Sequence, residues 1–269
     1  MGFRRSYLLA IACMMMVACG KPAANQPMFS PEGMSTPAAL IAKGKRLSYV
    51  LGCAGCHGED LTGKEWINEP GFAVLYTSNL THSVQRFSDA DIENIVRIGM
   101  RPGGKDLWEM PSEAFAPLAA ADMKALLAYL RTLKPRGKDW PAMQLGPEGK
   151  AEIKAGSLKP TATWVREEKG RVPVDLGPKH TRGRYLSQLA CGECHTPTLK
   201  GNDEPFRPDL TIVSAYERGD FEALMRNGVG LGGRELPMMS GVARKRFSKL
   251  TSDEVDAIYN YLSERAKPL

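Results

Sequence analysis

The sequence predicts an all-α protein built from two tandem helical domains. A C-x-x-C-H motif occurs at Cys53–His57 and again at Cys191–His195, the order of elements repeats with a period of about 130 residues, and each half ends on an amphipathic helix. The 269 residues suffice for two domains of ordinary size. A composition of 43% hydrophobic and 25% charged residues excludes general disorder. Only the extreme N-terminus is apolar enough to suggest a membrane segment, which excludes a polytopic membrane protein.

Residues 1–18 are predicted to form a signal peptide. Arg4 and Arg5 provide its positively charged start, and the apolar run from Tyr7 to Val17 follows. This run is too short to span a bilayer. The segment is therefore read as a targeting signal that is removed from the mature protein.

A cysteine closes this signal region. Met16-Val17-Ala18-Cys19 resembles the lipobox of bacterial lipoproteins, which implies that Cys19 is acylated and becomes the mature N-terminus. Cys13 and an ordinary secretory cleavage nearby remain alternatives. Residues 19–35, rich in Pro, Ala, Asn and Gln, are predicted to be a flexible tether to the inner or outer membrane, on its periplasmic side.

The C-x-x-C-H motifs are typical of covalent haem c attachment. Two thiols at this spacing reach the two vinyl groups of one porphyrin, and the next residue turns its imidazole towards the iron. The predicted thioether residues are Cys53, Cys56, Cys191 and Cys194, and the predicted proximal iron ligands are His57 and His195. A redox C-x-x-C pair or a zinc site is the alternative, but two zinc sites need further Cys or His ligands.

The internal repeat selects the second iron ligands. The segment Gly103–Met110 aligns without gaps with Gly232–Met239, and this offset pairs Met238 with Glu109. Met110 and Met239 are therefore predicted to ligate the two irons, with Met238 as the main rival of Met239. His82, in a predicted loop, is expected to be a surface residue.

Each half is expected to contain a leading helix that ends in the C-x-x-C-H motif, a long loop, a middle helix, a Met-bearing loop and a last helix. Ser88 with Asp91, and Thr251 with Glu254, are predicted capping boxes of the first half's middle helix and the second half's last helix. The predicted domains are residues 36–135 and 178–269, with residues 136–177 as an interdomain connection. The two tryptophans of this connection, Trp140 and Trp164, are candidate anchors.

These features resemble a diheme cytochrome c with two tandem class I cytochrome c domains. The resemblance implies that each domain wraps around one covalent haem, and that a glycine of each leading helix packs on an aromatic residue of the last helix. The matching pairs are Gly44 with Tyr129 and Gly183 with Tyr261. The halves also resemble the cytochrome subunits of periplasmic dehydrogenases, which implies a dehydrogenase as electron donor and a terminal oxidase or another cytochrome as acceptor.

Charge argues against a nucleic-acid partner. Removal of the signal peptide lowers the formal charge from +6 to +4, and two haems add four propionates. The basic cluster Arg244-Lys245-Arg246 is therefore expected to be a solvated face, with a propionate or partner contact as the alternative.

Two functional hypotheses follow. An electron-transfer protein is favoured, because His/Met ligation fills both axial positions and leaves no site for a substrate. The alternative is a haem enzyme, either a diheme peroxidase, which needs a displaceable iron ligand, or a thiosulfate-oxidising dehydrogenase. A dehydrogenase with a cysteine iron ligand is disfavoured, since Cys13 and Cys19 both belong to the signal region.

Overall fold

The computed structural model describes residues 29–30, 36–204 and 206–267, and this part of the chain is mostly helical. The helices are α1 (Pro37–Val50), α2 (Cys53–His57), α3 (Leu80–Arg86), α4 (Asp89–Ile98), α5 (Ser112–Phe115), α6 (Ala120–Leu130), α7 (Pro147–Ala155), α8 (Thr161–Glu167), α9 (Thr181–His195), α10 (Arg218–Asn227), α11 (Met239–Lys245) and α12 (Ser252–Arg265). The strands are β1 (Glu65–Glu69), β2 (Ala73–Tyr76), β3 (Met100–Arg101), β4 (Lys105–Asp106), β5 (Gln144–Leu145), β6 (Val229–Gly230) and β7 (Arg234–Glu235). Short 3-10 turns cover Pro178–His180, Leu210–Ala215, Leu231–Gly233 and Phe247–Lys249. No described helix is long and apolar enough to cross a membrane.

The predicted capping boxes open their helices. In α4, the Ser88 side chain accepts a hydrogen bond from the Asp91 amide, and the Asp91 carboxylate accepts from the Ser88 amide. Thr251 and Glu254 make the same reciprocal pair at the start of α12. Each box satisfies two backbone donors that have no partner within the helix, which fixes where the helix begins.

The leading and last helices cross at the predicted glycines. A Cβ atom at Gly44 of α1 would lie 1.9 Å from the Ala125 carbonyl oxygen and 2.8 Å from Tyr129 Cβ in α6. A Cβ atom at Gly183 of α9 would lie 2.7 Å from Tyr261 Cβ in α12. Only a glycine allows these backbones to approach so closely, so the same crossing forms in both halves.

Phe29 and Ser30 depart from the flexible tether that the composition predicts for residues 19–35. Phe29 is fully buried, with its ring 5.9 Å edge-on from the Tyr185 ring, and the Lys43 ammonium donates to its carbonyl. The Ser30 amide donates to the Glu254 carboxylate at 2.8 Å. These two residues therefore pack between helices of both halves, because aromatic burial and a buried acceptor outweigh the polar composition around them. Residues 19–28 and 31–35 lie outside the described residues.

The connection between the halves contains regular structure that its weak periodicity did not predict. It carries α7, α8 and β5, and β5 extends the β1–β2 hairpin by pairing with β2. Trp140 stacks on Tyr76 at 5.4 Å and donates from Nε1 to the Thr62 carbonyl at 2.9 Å. Trp164 instead stays 37% exposed. The first tryptophan thus fastens the connection to the first half, whereas the second does not form a buried anchor.

The helix crossings predict the effect of added volume. Gly44→Ala and Gly183→Ala should each lower the free energy of unfolding by about 1–3 kcal/mol, because the new methyl overlaps a backbone carbonyl across the crossing. Denaturant unfolding of the haem-loaded protein measures this loss.

Gly219 in α10 provides the matched control, because a Cβ atom there meets nothing within 4 Å. Gly219→Ala should be neutral or stabilise by up to about 1 kcal/mol. If Gly219→Ala lowers the free energy of unfolding as much as Gly44→Ala does, the close approach of the helices is not the cause of the destabilisation.

Candidate functional site

The two C-x-x-C-H motifs occupy equivalent places. The first forms the short helix α2 directly after α1, and the second is the last turn of α9. None of the four motif cysteines forms a disulfide, so all four sulfurs are available for thioether bonds. Burial raises the pKa of the Cys53 thiol to about 11 and that of the Cys191 thiol to about 12. Cys13 and Cys19 lie outside the described residues.

The two motif histidines have the same orientation. His57 Nδ1 donates to the Ser78 carbonyl at 2.8 Å, and His195 Nδ1 donates to the Pro208 carbonyl at 2.8 Å. A carbonyl only accepts, so the proton is on Nδ1 and the Nε2 lone pair is free. Burial lowers the pKa of both imidazoles, although the carbonyl bond opposes this effect, and the neutral ring is the form that binds a metal.

A cavity of about 360 Å³ lies against the second motif. Cys191, Cys194 and His195 form one part of its wall, and Met238 and Met239 form another. The remaining wall is largely apolar, including Leu210, Val213, Phe221, Leu224, Met225, Val242, Phe247 and Leu262. Arg234 and Arg246 are the charged members of this wall. A largely apolar wall with paired thiols, one imidazole and a thioether fits a covalently held porphyrin.

The predicted methionines lie in the Met-bearing loops. Met110 and Met239 are both partly buried against the hydrophobic core, whereas Met238 is 52% exposed. The backbone before Met110 is unusual, because Glu109 adopts a left-handed φ of 62°. The burial of Met239 and the exposure of its neighbour favour the register that the repeat predicts.

An arginine of the middle helix braces the segment before the last helix in each half. Arg97 donates to the carbonyls of Ala116 and Leu118, and Arg226 donates to the carbonyls of Ser248 and Leu250. The repeat alignment pairs these two arginines but gives no role for them. The structure shows that each one connects α4 or α10 to the chain that follows the Met-bearing loop.

Two sequence expectations need adjustment. His82 lies in α3 rather than in a loop, and its Nδ1 is 2.9 Å from Asp139, so it pairs with a surface carboxylate. The basic cluster is only partly a solvated face, because Arg244 and Lys245 are exposed but the Arg246 side chain is 13% exposed. Arg246 contacts Glu193, which lies 53 positions away in sequence, and local charge patterning carries no signal for such a contact.

The comparisons with known proteins agree with this geometry. The family profile described as "Cytochrome c" matches residues 41–134 and 180–266. The chain is 27% identical to a "Diheme cytochrome c-type" protein of Cereibacter sphaeroides over 72% of this chain and 70% of that protein. It is 31% identical to the fructose dehydrogenase cytochrome subunit of Gluconobacter japonicus over 62% of this chain, but this match spans only 37% of that subunit. It is 28% identical to the thiosulfate dehydrogenase electron acceptor of Thiomonas intermedia, over 81% of this chain and 79% of that protein.

Proposed function

Since the chain belongs to the cytochrome c family, we propose that it carries electrons from a periplasmic dehydrogenase to a respiratory acceptor. The protein is an electron-transfer cytochrome with two covalently bound haem c groups. The donor, the acceptor and the cellular location are the parts that the proposal adds.

The residues assigned to the two haem sites follow the repeat. Cys53 with Cys56, and Cys191 with Cys194, form the thioether bonds. His57 and His195 bind iron through Nε2, and Met110 and Met239 bind it through sulfur. Support comes from the matched Nδ1 hydrogen bonds and from the partly buried Met239 in the same cavity wall as His195.

These side chains define the chemistry of the site. When bound, the haem supplies a one-electron couple between ferric and ferrous iron. The carbonyls of Ser78 and Pro208 hold each imidazole in one tautomer, which orients Nε2 and makes it more electron-donating. The sulfurs of Met110 and Met239 would each hold the iron of a bound haem and favour its ferrous state, and the largely apolar wall of the second site would limit the access of water. The observation that carries the proposal is that the oriented His195 imidazole and the Met239 thioether line one cavity, since two such ligands would leave no iron position for a substrate.

A dehydrogenase donor is supported by relatives. The match to a fructose dehydrogenase cytochrome subunit and the match to a thiosulfate dehydrogenase electron acceptor both concern proteins named as partners of dehydrogenases. We infer that this chain serves a dehydrogenase in the same way, and that a terminal oxidase or another cytochrome accepts its electrons. Nucleic acid is not a partner in this proposal, because the predicted mature holoprotein is near neutral.

Replacement of the methionines tests the function. Met110→Ala and Met239→Ala should each leave both haems covalently attached but open one iron to cyanide, whereas the wild-type protein should bind cyanide slowly or not at all. The potential of the opened haem should fall, since water stabilises ferrous iron less than a thioether does. The weak absorption band of sulfur-ligated ferric haem, measured during a cyanide titration, reports how many irons keep their methionine.

Met238→Ala is the control and should leave that band unchanged. If Met238→Ala abolishes the band of one haem while Met239→Ala preserves it, the repeat alignment is wrong by one residue. Rapid cyanide or peroxide binding at one haem of the wild-type protein would instead support the haem-enzyme alternative.

The proposed lipid anchor has its own test. Cys19→Ser should release the protein from the membrane fraction into the soluble periplasmic fraction, because acyl chains attached to that cysteine supply the anchoring energy. Fractionation followed by a haem stain measures where the protein is and whether its haems remain attached. Both haems should remain attached to the Cys19→Ser protein. Membrane retention equal to that of the wild-type protein would contradict anchoring through Cys19.

A further inference from the structure

Arg246 lies where the two halves meet. It follows α11 and precedes the 3-10 turn Phe247–Lys249, and this turn packs against α1 of the first half. Its side chain is 13% exposed, although its two basic neighbours are exposed. A guanidinium remains charged at all ordinary pH values, so this position holds a fixed positive charge away from bulk water.

The guanidinium contacts both haem attachment segments. Its Nε donates to the Val50 carbonyl at the end of α1, at 3.1 Å, three residues before Cys53. Its Nη1 pairs at 2.8 Å with the carboxylate of Glu193, which stands between the two cysteines of the second motif. Arg246 therefore connects the backbone just before the first C-x-x-C-H motif with a residue inside the second motif.

Gly52 allows this contact. Its φ is +81°, and a Cβ atom there would lie 2.9 Å from Arg246 Cζ. The guanidinium thus lies directly against the residue that precedes Cys53, and glycine is required both for the left-handed backbone and for the space.

The charge of Arg246 also acts on both motifs. Burial raises the pKa of Cys53 and of Cys191, and at each of them the positive charge of Arg246 is the largest effect in the opposite direction. Salt screens buried charges only weakly, so the electrostatic effect of Arg246 on both motifs persists in solution. Arg246 Nη2 is also buried and has no hydrogen-bond partner among the described residues, and Arg246 lines the cavity beside the second motif.

We propose that Arg246 is a positioning residue for electron transfer, which ties the two haem attachment segments together and offsets the negative charge of Glu193 beside them. Ferrous haem carries one unit of positive charge less than ferric haem, so a nearby cation favours reduction at both sites. Without Arg246, the Glu193 carboxylate is left uncompensated between the two segments, and ferric iron is favoured at both. The proposal rests on attachment of one haem at each C-x-x-C-H motif.

Spectroelectrochemical titration of the purified diheme protein tests this role. Arg246→Gln should lower the equilibrium constant for reduction of both haems, by roughly tenfold each, which is about 59 mV for a one-electron couple. Arg246→Lys keeps the charge and should hold both constants within about twofold of wild type. Arg244→Gln is the matched control, because Arg244 is exposed on α11 and pairs with the exposed Glu235, so neither haem should respond.

Other outcomes overturn the proposal. A shift confined to one haem contradicts a shared cation, and a failure of Arg246→Lys to restore the potentials would mean that the hydrogen bonds, not the charge, matter. If Arg246→Gln does not fold, Glu193→Gln supplies the opposite test, because loss of the carboxylate should raise both constants, and unchanged constants would overturn the proposal. The mass of the denatured wild-type chain tests separately whether one haem is attached at each motif. A chain with fewer than two haems would contradict that attachment, whereas the outcomes above concern only the role of Arg246.

Discussion

The structure depends on two buried ion pairs, each of which contacts both halves. Lys43 and Asp122 of the first half pair at 2.8 Å, with side chains 2% and 0% exposed, and the Asp122 carboxylate accepts a hydrogen bond at 3.0 Å from the Tyr185 hydroxyl of the second half. Arg46 of α1 reaches the fully buried Glu254 of α12. Burial raises the pKa of Glu254, but the hydrogen bonds and charge of Arg46, together with the backbone amides of Thr251 and Ser30, lower it below its usual value. Removing one partner of a buried pair costs roughly 3–5 kcal/mol, so these contacts tolerate little rearrangement. Arg46 holds α1 against α12, and Tyr185 holds α9 against α6, so the two helices that lead into the haem attachment segments are tied to the opposite half.

The two halves share a plan but are not copies. Both have the glycine crossing, the oriented histidine and the bracing arginine. In the first half, the β-hairpin β1–β2 lies between the motif and Ser78, whose carbonyl accepts the hydrogen bond from His57. The second half has no such hairpin among its described residues. Met110 is followed by α5 of four residues, whereas Met239 itself begins α11 of seven. Arg246 directly follows the longer α11 and lies at the interface between the halves. The side chain that links the two haem attachment segments therefore belongs to a region in which the two halves differ.

Sequence patterns predicted the local features and missed the long-range contacts. Capping boxes and the C-x-x-C-H spacing depend on residues within a few turns of one another, so the sequence reveals them directly. The glycine crossings join distant residues, and only the family resemblance implied them. The docking of Phe29, the pairing of β5 with β2 and the burial of Arg246 each join residues far apart in the chain. The carbonyls of Ser78 and Pro208 could not be predicted either, because any residue supplies a backbone carbonyl and its identity carries no signal.

An electron carrier whose two haem attachment segments are joined through Arg246 should pass electrons between its haems within one molecule. Flash photoreduction with less than one electron per molecule tests it in Met239→Ala protein, where loss of the sulfur ligand gives the two haems different spectra. Redistribution of the electron between the haems should be first order, with a rate that does not change as protein concentration is varied tenfold. A rate that rises in proportion to protein concentration would show that electrons move only by collision between molecules, and would contradict the claim.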